Sequence, residues 1–589
     1  MADRLSTMEK EIIFNIDANK LMEYNTEIAK EVRLSGSEEE LRAFNYAKNT
    51  LESFGLDTKL TFHDAYISLP REAKLLIGDI PIPCITHSMA PSTKAGGVVG
   101  TPVYLGEFAD DNLTVCDSNI AIVEGIASPD ILTKLEKAGA IGAIFINGPY
   151  THEMIVSTVW GSPSEKNIEQ MPNIPVISIN DENGVKLLQL IEKDATKLEI
   201  HTKVETKWTP IPTLTAEIKG NVEADHFVLF SGHIDSWHYG AMDNGSANAT
   251  MLEVARVLSK FQLQMKRSVR FAFWSGHSHG RYAGSQAYCD QHWEEIQENC
   301  VMHFYIDSVG GKGASILSES NCMAETKDLA SFYIEEVTGQ NYLGSRYGKY
   351  ADQSFWGTGV PSLFMGMSEQ PLSDDPMSQK VFKIFGGKEA GGFGWWWHTV
   401  EDTIDKIDPV NLKRDCEIYA LSIFKVLTEP ILPINQHAAV QELKNIVVNY
   451  QKVAGNKINL EITLKRLTSI EKLLSEFQVD RLQKNLSIDV CKNVNKSIIA
   501  ISRSLVPINY VRCDVFEHDP AVEMQPIPAL ASIYKISELE KDTHEFYLLR
   551  TSINRQINKV NYLLKQALIE TEKLLSVVEI KPKRIGESL

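Results

Sequence analysis

Apolar positions in the first 93 residues follow a helical period. In the segment 38–51 they recur at Leu41, Phe44, Ala47 and Leu51, which predicts an amphipathic helix. Ser35 and Ser37 are cap candidates before it, Gly55 ends it, and the run 57–63 reads as a strand. Residues 94–207 have another texture: short apolar runs broken by Gly, Asp and Pro, helices near 129–138 and 182–193, and no concentration of acids, bases or nucleophiles. They predict a β-rich inserted domain. Residues 208–432 alternate strand and helix, with strands at 227–230, 269–274, 301–306 and 360–365 and helices at 247–260, 280–298 and 411–427. That rhythm predicts an α/β domain with a mixed, mostly parallel sheet flanked by helices. From 433 to 589 the strands disappear. One helical stripe runs Leu460, Leu464, Leu467, Leu474 and Phe477; a second runs Leu549, Ile553, Val560, Leu564, Leu568 and Leu575. They predict a C-terminal helical domain whose apolar faces pack on the α/β domain or on a second copy of the chain, giving a homodimer.

The length of 589 residues is consistent with about three or four folding units. The net charge of −18 argues against a nucleic-acid or anionic-membrane partner, which needs a basic face. No stretch approaches the ~20 apolar residues of a membrane helix, and the first residues lack a secretory apolar core. The eight cysteines have no C-x-x-C spacing and read as reduced thiols. A soluble cytoplasmic protein is expected.

Parallel strands deliver their loops, and their ligands, at the carboxyl edge. The chemistry-bearing residues fall there. Strand 227–230 runs into His233-Ile-Asp235, strand 269–274 into His277-Ser278-His279, and strand 301–306 into Asp307; Asp243 precedes a helix, and His398 follows Trp395-Trp396-Trp397. Imidazoles and carboxylates converging on one edge form a pattern suited to zinc and neighbouring metals. The spacing His233-x-Asp235 suits an imidazole whose second N–H is held by a carboxylate.

In this order the residues resemble the M28 group of zinc exopeptidases, which includes aminopeptidases, glutamate carboxypeptidase and the catalytically dead transferrin receptor. The matching segments are SGHIDSW (231–237), AMDNGSANATMLEVARVL (241–258), VRFAFWSG (269–276), FYIDSVGG (304–311) and HTVEDTIDKID (398–408). The resemblance covers residues 1–93 and 208–432; residues 94–207 look like the protease-associated (PA) insert, and 433–589 look loosely like the helical dimerisation domain of larger members. It implies one or two divalent ions, zinc foremost with other transition metals open. The first would be held by His233, Asp243 and Asp307. Asp243 would bridge to a second, held also by His398 and a Glu, with another Glu as general base.

The sequence departs from that pattern where the Glu pair belongs. Residues 274–280, WSGHSHG, contain no carboxylate and carry one extra residue before Gly284-Ser285. Counted from Trp274, His277 and Ser278 fill the two slots; counted back from Gly284, Ser278 and His279 do. Either histidine is a candidate replacement ligand or proton shuttle. With one carboxylate fewer, the bound water's pKa should fall further. Trp397 is a candidate aromatic wall, Arg281 a candidate carboxylate clamp, and Asp352 and Tyr239 candidate pocket residues; Glu401 is the nearest carboxylate in sequence to stand in for the base. The sequence thus predicts metal-dependent hydrolysis of a C–N bond in a peptide or small amide. Its alternatives are a specialised small-molecule amidase and an inactive binding or scaffold protein like the transferrin receptor.

Overall fold

A computed structural model describes residues 4–111, 113–193, 197–374, 378–379, 387–477 and 486–578. Along them run strands β1 (Asp57–Ile77), β2 (Ile80–Ile82), β3 (Ile85–Thr86), β4 (Val98–Gly100), β5 (Pro102–Glu107), β6 (Ile120–Glu124), β7 (Gly142–Ile146), β8 (Val176–Ile179), β9 (Leu198–Ile218), β10 (Glu223–His233), β11 (Arg267–Trp274), β12 (Cys300–Tyr305) and β13 (Ser362–Leu363). The larger sheet has the order β13-β12-β10-β11-β9-β1-β2, with β4 beside β9. Its half from β13 to β11 is parallel, as the β-α rhythm predicts. The other half is antiparallel, because β1 does not stop near residue 63. It continues to Ile77, paired with β9 from Asp57↔Glu217 to Ile77↔Leu198. The one register shift in this ladder falls between Pro70 and Glu72, where proline has no N–H to donate.

The far end of the ribbon enters a second apolar core. Leu75, Ile77, Leu198 and Ile200 pack with Ile120, Ile122, Ile144 and Ile177 of a five-stranded sheet ordered β3-β8-β7-β6-β5. The helices Pro129–Lys137 and Asp181–Lys193 accompany it, close to their predicted bounds.

The helix predicted over 38–51 spans Glu38–Ser53, and Ser37 caps it by accepting from Glu40 N at 3.1 Å. Ser35, the other cap candidate, turns to the site described below. The single helix expected over 280–298 starts only at Ala283, because Arg281 and Tyr282 adopt left-handed φ values of 44° and 65°, and it breaks at His292 (φ −123°, ψ 24°) into Ala283–Gln291 and Trp293–Asn299.

The C-terminal segment contains more helices than its two stripes announced: Gln436–Ala454, Glu461–Glu476, Ile488–Tyr510, Ile533–Glu538 and His544–Val577. Ile488–Tyr510 carries Pro507 in its last turn, where the missing N–H forgoes one helical bond, to the Arg503 carbonyl, just before the helix ends. Leu467, Leu474, Val560 and Leu564 are buried in one core with Phe230, Phe271 and Tyr419 of the α/β domain, so these apolar faces are covered within the chain.

Where the helical segment meets the α/β domain, Glu325 is buried and its carbonyl accepts from Asn435 N. Burial pushes its carboxyl up to about 7. The folded state therefore binds the proton more tightly than the unfolded chain. Its contribution to stability is present below the unfolded value and is lost as pH rises through about 7. Glu325→Gln should match the wild type near pH 4–5 and exceed it by a few kcal/mol at pH 8, read as a change in urea midpoint. Equal stability of the two at pH 8 would contradict the assignment.

Candidate metal centre

Strand register builds the site. Ser231 of β10 lies opposite Tyr305 of β12, so His233 and Asp307, each two residues further on, emerge level at the carboxyl edge on one face. His233 also pairs with Trp274, the last residue of β11, which delivers the loop 275–282 beside it. The segment Ala241–Ser246 brings in Asp243 before the helix Ala247–Ser259.

His233 is fully buried, with Nε2 3.3 Å from Asp243 Oδ1 and 3.3 Å from Asp307 Oδ2. That nitrogen has no hydrogen-bond partner. His398 Nε2 lies 2.9 Å from the other oxygen of Asp243. The four residues expected to meet therefore do meet, with Asp243 between the two imidazoles. Burial opposes a charge on His233, but Asp307, Asp235 and Asp243 outweigh it and hold its pKa well above the ordinary value. Asp243 is held far below the usual carboxylate range: burial opposes this, and the adjacent imidazoles of His233 and His398 overcome it.

The supporting contacts differ from the expected ones. His233 Nδ1 donates to the backbone carbonyl of Asp235 at 2.9 Å, and the Asp235 carboxylate stands 3.5 Å away. That carboxylate instead holds the altered loop, accepting from Ser278 N at 2.8 Å, His277 N at 3.3 Å and Ser35 Oγ at 2.6 Å. Asp402 accepts from Met242 N and Asp243 N at 2.8 and 2.9 Å, fixing the Asp243 turn; burial pushes its carboxyl up to about 7 despite these bonds. His398 Nδ1 donates to the carbonyl of Glu153, and Glu153 N donates back to the His398 carbonyl at 3.0 Å.

The loop geometry separates the two candidate histidines. The His277 ring lies flat on His233, with centroids 3.7 Å apart and planes at 7°, and its Nδ1 is 2.7 Å from Asp352 Oδ2. Ligand atoms of His233, His277 and Asp307 lie within 4.8 Å of one another. His279 faces away toward Ser35, 3.0 Å from its Oγ, and packs on Trp237; burial lowers its pKa to about 4. Ser278 is buried, with its hydroxyl unpartnered.

Two expected pocket residues point inward instead. Asp352 is fully buried and accepts from Ser285 Oγ at 2.6 Å and Tyr305 Oη at 3.0 Å, besides pairing with His277, so it cannot touch substrate. Arg281 donates to the Ala521 carbonyl at 2.8 Å and is buried, tying the loop to the C-terminal segment rather than clamping a carboxylate. Trp397 lies flat against His398, with centroids 3.3 Å apart and only a small edge exposed. Trp395 stacks on Tyr150 at 4.9 Å. Tyr239 is half exposed after the turn, and its carbonyl accepts from Arg33. Glu401 is not drawn into this network; its N–H bonds to Thr399 Oγ1.

Three contributors went unread in the sequence. Tyr305 donates to Asp307 at 2.9 Å; its position two residues before Asp307, on the same strand face, was the available signal. Arg33, fully buried, grips the carbonyls of Ile234, Tyr239 and Gly240, and burial lowers its pKa to about 10. The Glu153 carbonyl comes from the inserted segment and left no side-chain signal.

Residues 213–421 match the sequence profile of Peptidase family M28. The aminopeptidase YwaD of Bacillus subtilis is 26% identical over 265 residues, 44% of this chain and 53% of that protein. The mouse aminopeptidase NAALADL1 is 31% identical over 233 residues, 36% of this chain and 30% of that protein. The chain thus spans about half the length of the first relative and less of the second. The structure of BSAP, described as a zinc aminopeptidase from Bacillus subtilis, superposes with a TM-score of 0.53 at 18% identity, covering 71% of this chain and 97% of that one, a likeness of fold. The segment that matches Peptidase family M28 carries His233, Asp243, Asp307 and His398 at the carboxyl edge of the sheet.

Proposed function

We propose that the chain is a zinc-dependent hydrolase of amide bonds that acts on peptides in the manner of an exopeptidase. The observation that carries this reading is His233 Nε2, buried, unpartnered and 3.3 Å from both Asp243 and Asp307. A nitrogen lone pair and two carboxylates crowded together out of water are costly unless a cation joins them. Zinc bound by these three residues would supply a Lewis acid and lower the pKa of a bound water.

The chain's own groups then do the following. The Asp235 carbonyl fixes the proton of His233 on Nδ1, leaving Nε2 as the ligand atom. Asp402 holds the Asp243 turn. Asp352 fixes a proton on Nδ1 of His277, so that Nε2 is left to accept a proton at the cleft, where the family's carboxylate is missing. Trp395 and Tyr150 offer apolar surface for a substrate side chain. Relatives named as aminopeptidases favour peptides with a free amino end, while the altered loop keeps small amides in play. The eight cysteines, all free thiols, support a reducing compartment such as the cytoplasm.

The test is hydrolysis of a panel of aminoacyl-p-nitroanilides, dipeptides and N-acylated peptides by the full chain. Turnover that a chelator removes and zinc restores is the expected result. Zinc-replete protein inert on the whole panel would favour the binding-protein reading, which the lack of a carboxylate at 277–279 otherwise supports.

A further inference from the structure

We infer that the centre holds one metal ion per chain, between His233, Asp243 and Asp307, and that the corner around His398 does not take a second. The inference rests on the hydrolase reading for the presence of a metal. It goes beyond that reading in the number of ions and in the roles of Trp237, His277 and His398.

The donors are unevenly distributed. At the first corner three ligand atoms converge, the number of protein ligands that a catalytic zinc keeps beside an open position. At the second corner there are two, Asp243 Oδ2 and His398 Nε2, 2.9 Å apart. The third side of that corner is filled by Trp237, whose Nε1 donates to His398 Nε2 at 3.2 Å. An indole N–H is a donor only. It cannot ligate a cation, and it occupies the lone pair that a second ion would need. The Trp397 ring closes one face of His398, and Trp237 is itself backed by the His279 ring at 4.5 Å.

Three neighbouring carboxylates are engaged elsewhere, while the buried Glu153 carboxyl, with one oxygen unpartnered, makes no ion pair with His398. Asp235 holds Ser35 and the N–H groups of His277 and Ser278; Asp402 holds those of Met242 and Asp243; Asp352 holds Ser285, Tyr305 and His277. Among the described residues, Asp243 alone offers a carboxylate oxygen to His398.

His277 does not repair the deficit. Its ring is parallel to that of His233 within 7° at 3.7 Å. Imidazole lone pairs lie in the ring plane, so parallel rings do not aim at one point. Although its nitrogen comes within 4.8 Å of the ligand atoms of His233 and Asp307, its ring flanks that ion's position rather than aiming at it. His398 is then a positioning residue. It is anchored through Nδ1 to the insert, with Nε2 2.9 Å from the outer oxygen of Asp243.

The test is metal stoichiometry, independent of turnover. The full chain is dialysed against buffered zinc and its metal counted by mass spectrometry. Parallel titrations use His398→Gln, Asp307→Asn and Trp237→Glu, with circular dichroism as the folding control. The expected result is one tightly held zinc in the wild type, and one in His398→Gln, weakened by no more than ~100-fold as for loss of a supporting contact. None should remain in Asp307→Asn. A second should appear in folded Trp237→Glu, where a carboxylate replaces the indole. Cobalt-loaded wild type should give the electron paramagnetic resonance of an isolated ion. Two equivalent zinc ions in the wild type, spin-coupled cobalt, or loss of the ion in folded His398→Gln would overturn the inference while leaving the hydrolase intact. A wild type that binds no zinc at all would sink the hydrolase reading itself.

Discussion

Asp243→Ala is expected to lower kcat/KM by ~10³-fold or more, because Lewis-acid stabilisation contributes several kcal/mol and each ~1.4 kcal/mol is tenfold in rate. The residue joins everything at the centre. One of its oxygens is 3.3 Å from His233 and the other 2.9 Å from His398. Its turn is held from outside by Asp402 through backbone N–H groups that alanine retains, so circular dichroism should be unchanged. Zinc content and turnover should fall together. An alanine variant that keeps both its metal and its rate would show that Asp243 is a structural acid and that the centre lies elsewhere.

Gly161→Ala should cost about 10²-fold in kcat/KM although residue 161 lies in the inserted segment. A Cβ there would fall 1.7 Å from the carbonyl oxygen of Gly280 and 2.7 Å from Ala283 Cβ. Neither obstacle is the tip of a flexible side chain. Gly161 also donates to the Arg281 carbonyl, and its own carbonyl accepts from Tyr66 N at 2.7 Å, so the insert cannot simply back away. The loop carrying His277 must move, and displacements of about an ångström at reacting groups cost rate on this scale. Gly96→Ala, where a Cβ meets nothing within 4 Å, is the matched control. Equal rates for the two variants would show that the insert does not set the loop's position.

The parallel half of the sheet and its metal-type residues were legible because each residue follows an apolar run directly. His233, Asp307 and the 275–282 loop sit at strand ends, and strand ends are what periodicity locates. The antiparallel ribbon was not legible beyond residue 63. The remainder of β1 alternates weakly and contains Pro70 and charged residues, since its pairing is satisfied by a strand some 140 positions later. Within the site, charge types were found and partners were not. Asp235 was assigned to His233 by spacing and holds the loop instead. Asp352 reads as a pocket residue by resemblance and Arg281 as a clamp by its place beside the altered loop; burial turns one to His277 and the other to the Ala521 carbonyl. The choice between His277 and His279 depended on a one-residue insertion. Two left-handed residues, Arg281 and Tyr282, end that loop, and no periodicity reports them.

The ladder between β1 and β9 also orders events during synthesis. Residues 57–77 leave the ribosome well before the partner that completes their hydrogen bonds, and β11 can join the sheet only beside β9 and β10. The five-stranded sheet, by contrast, has all its strands by residue 179. Closing so long a loop costs only a slowly growing entropy, but it delays the contact. The nascent chain therefore carries an unpaired edge through the translation of more than a hundred residues.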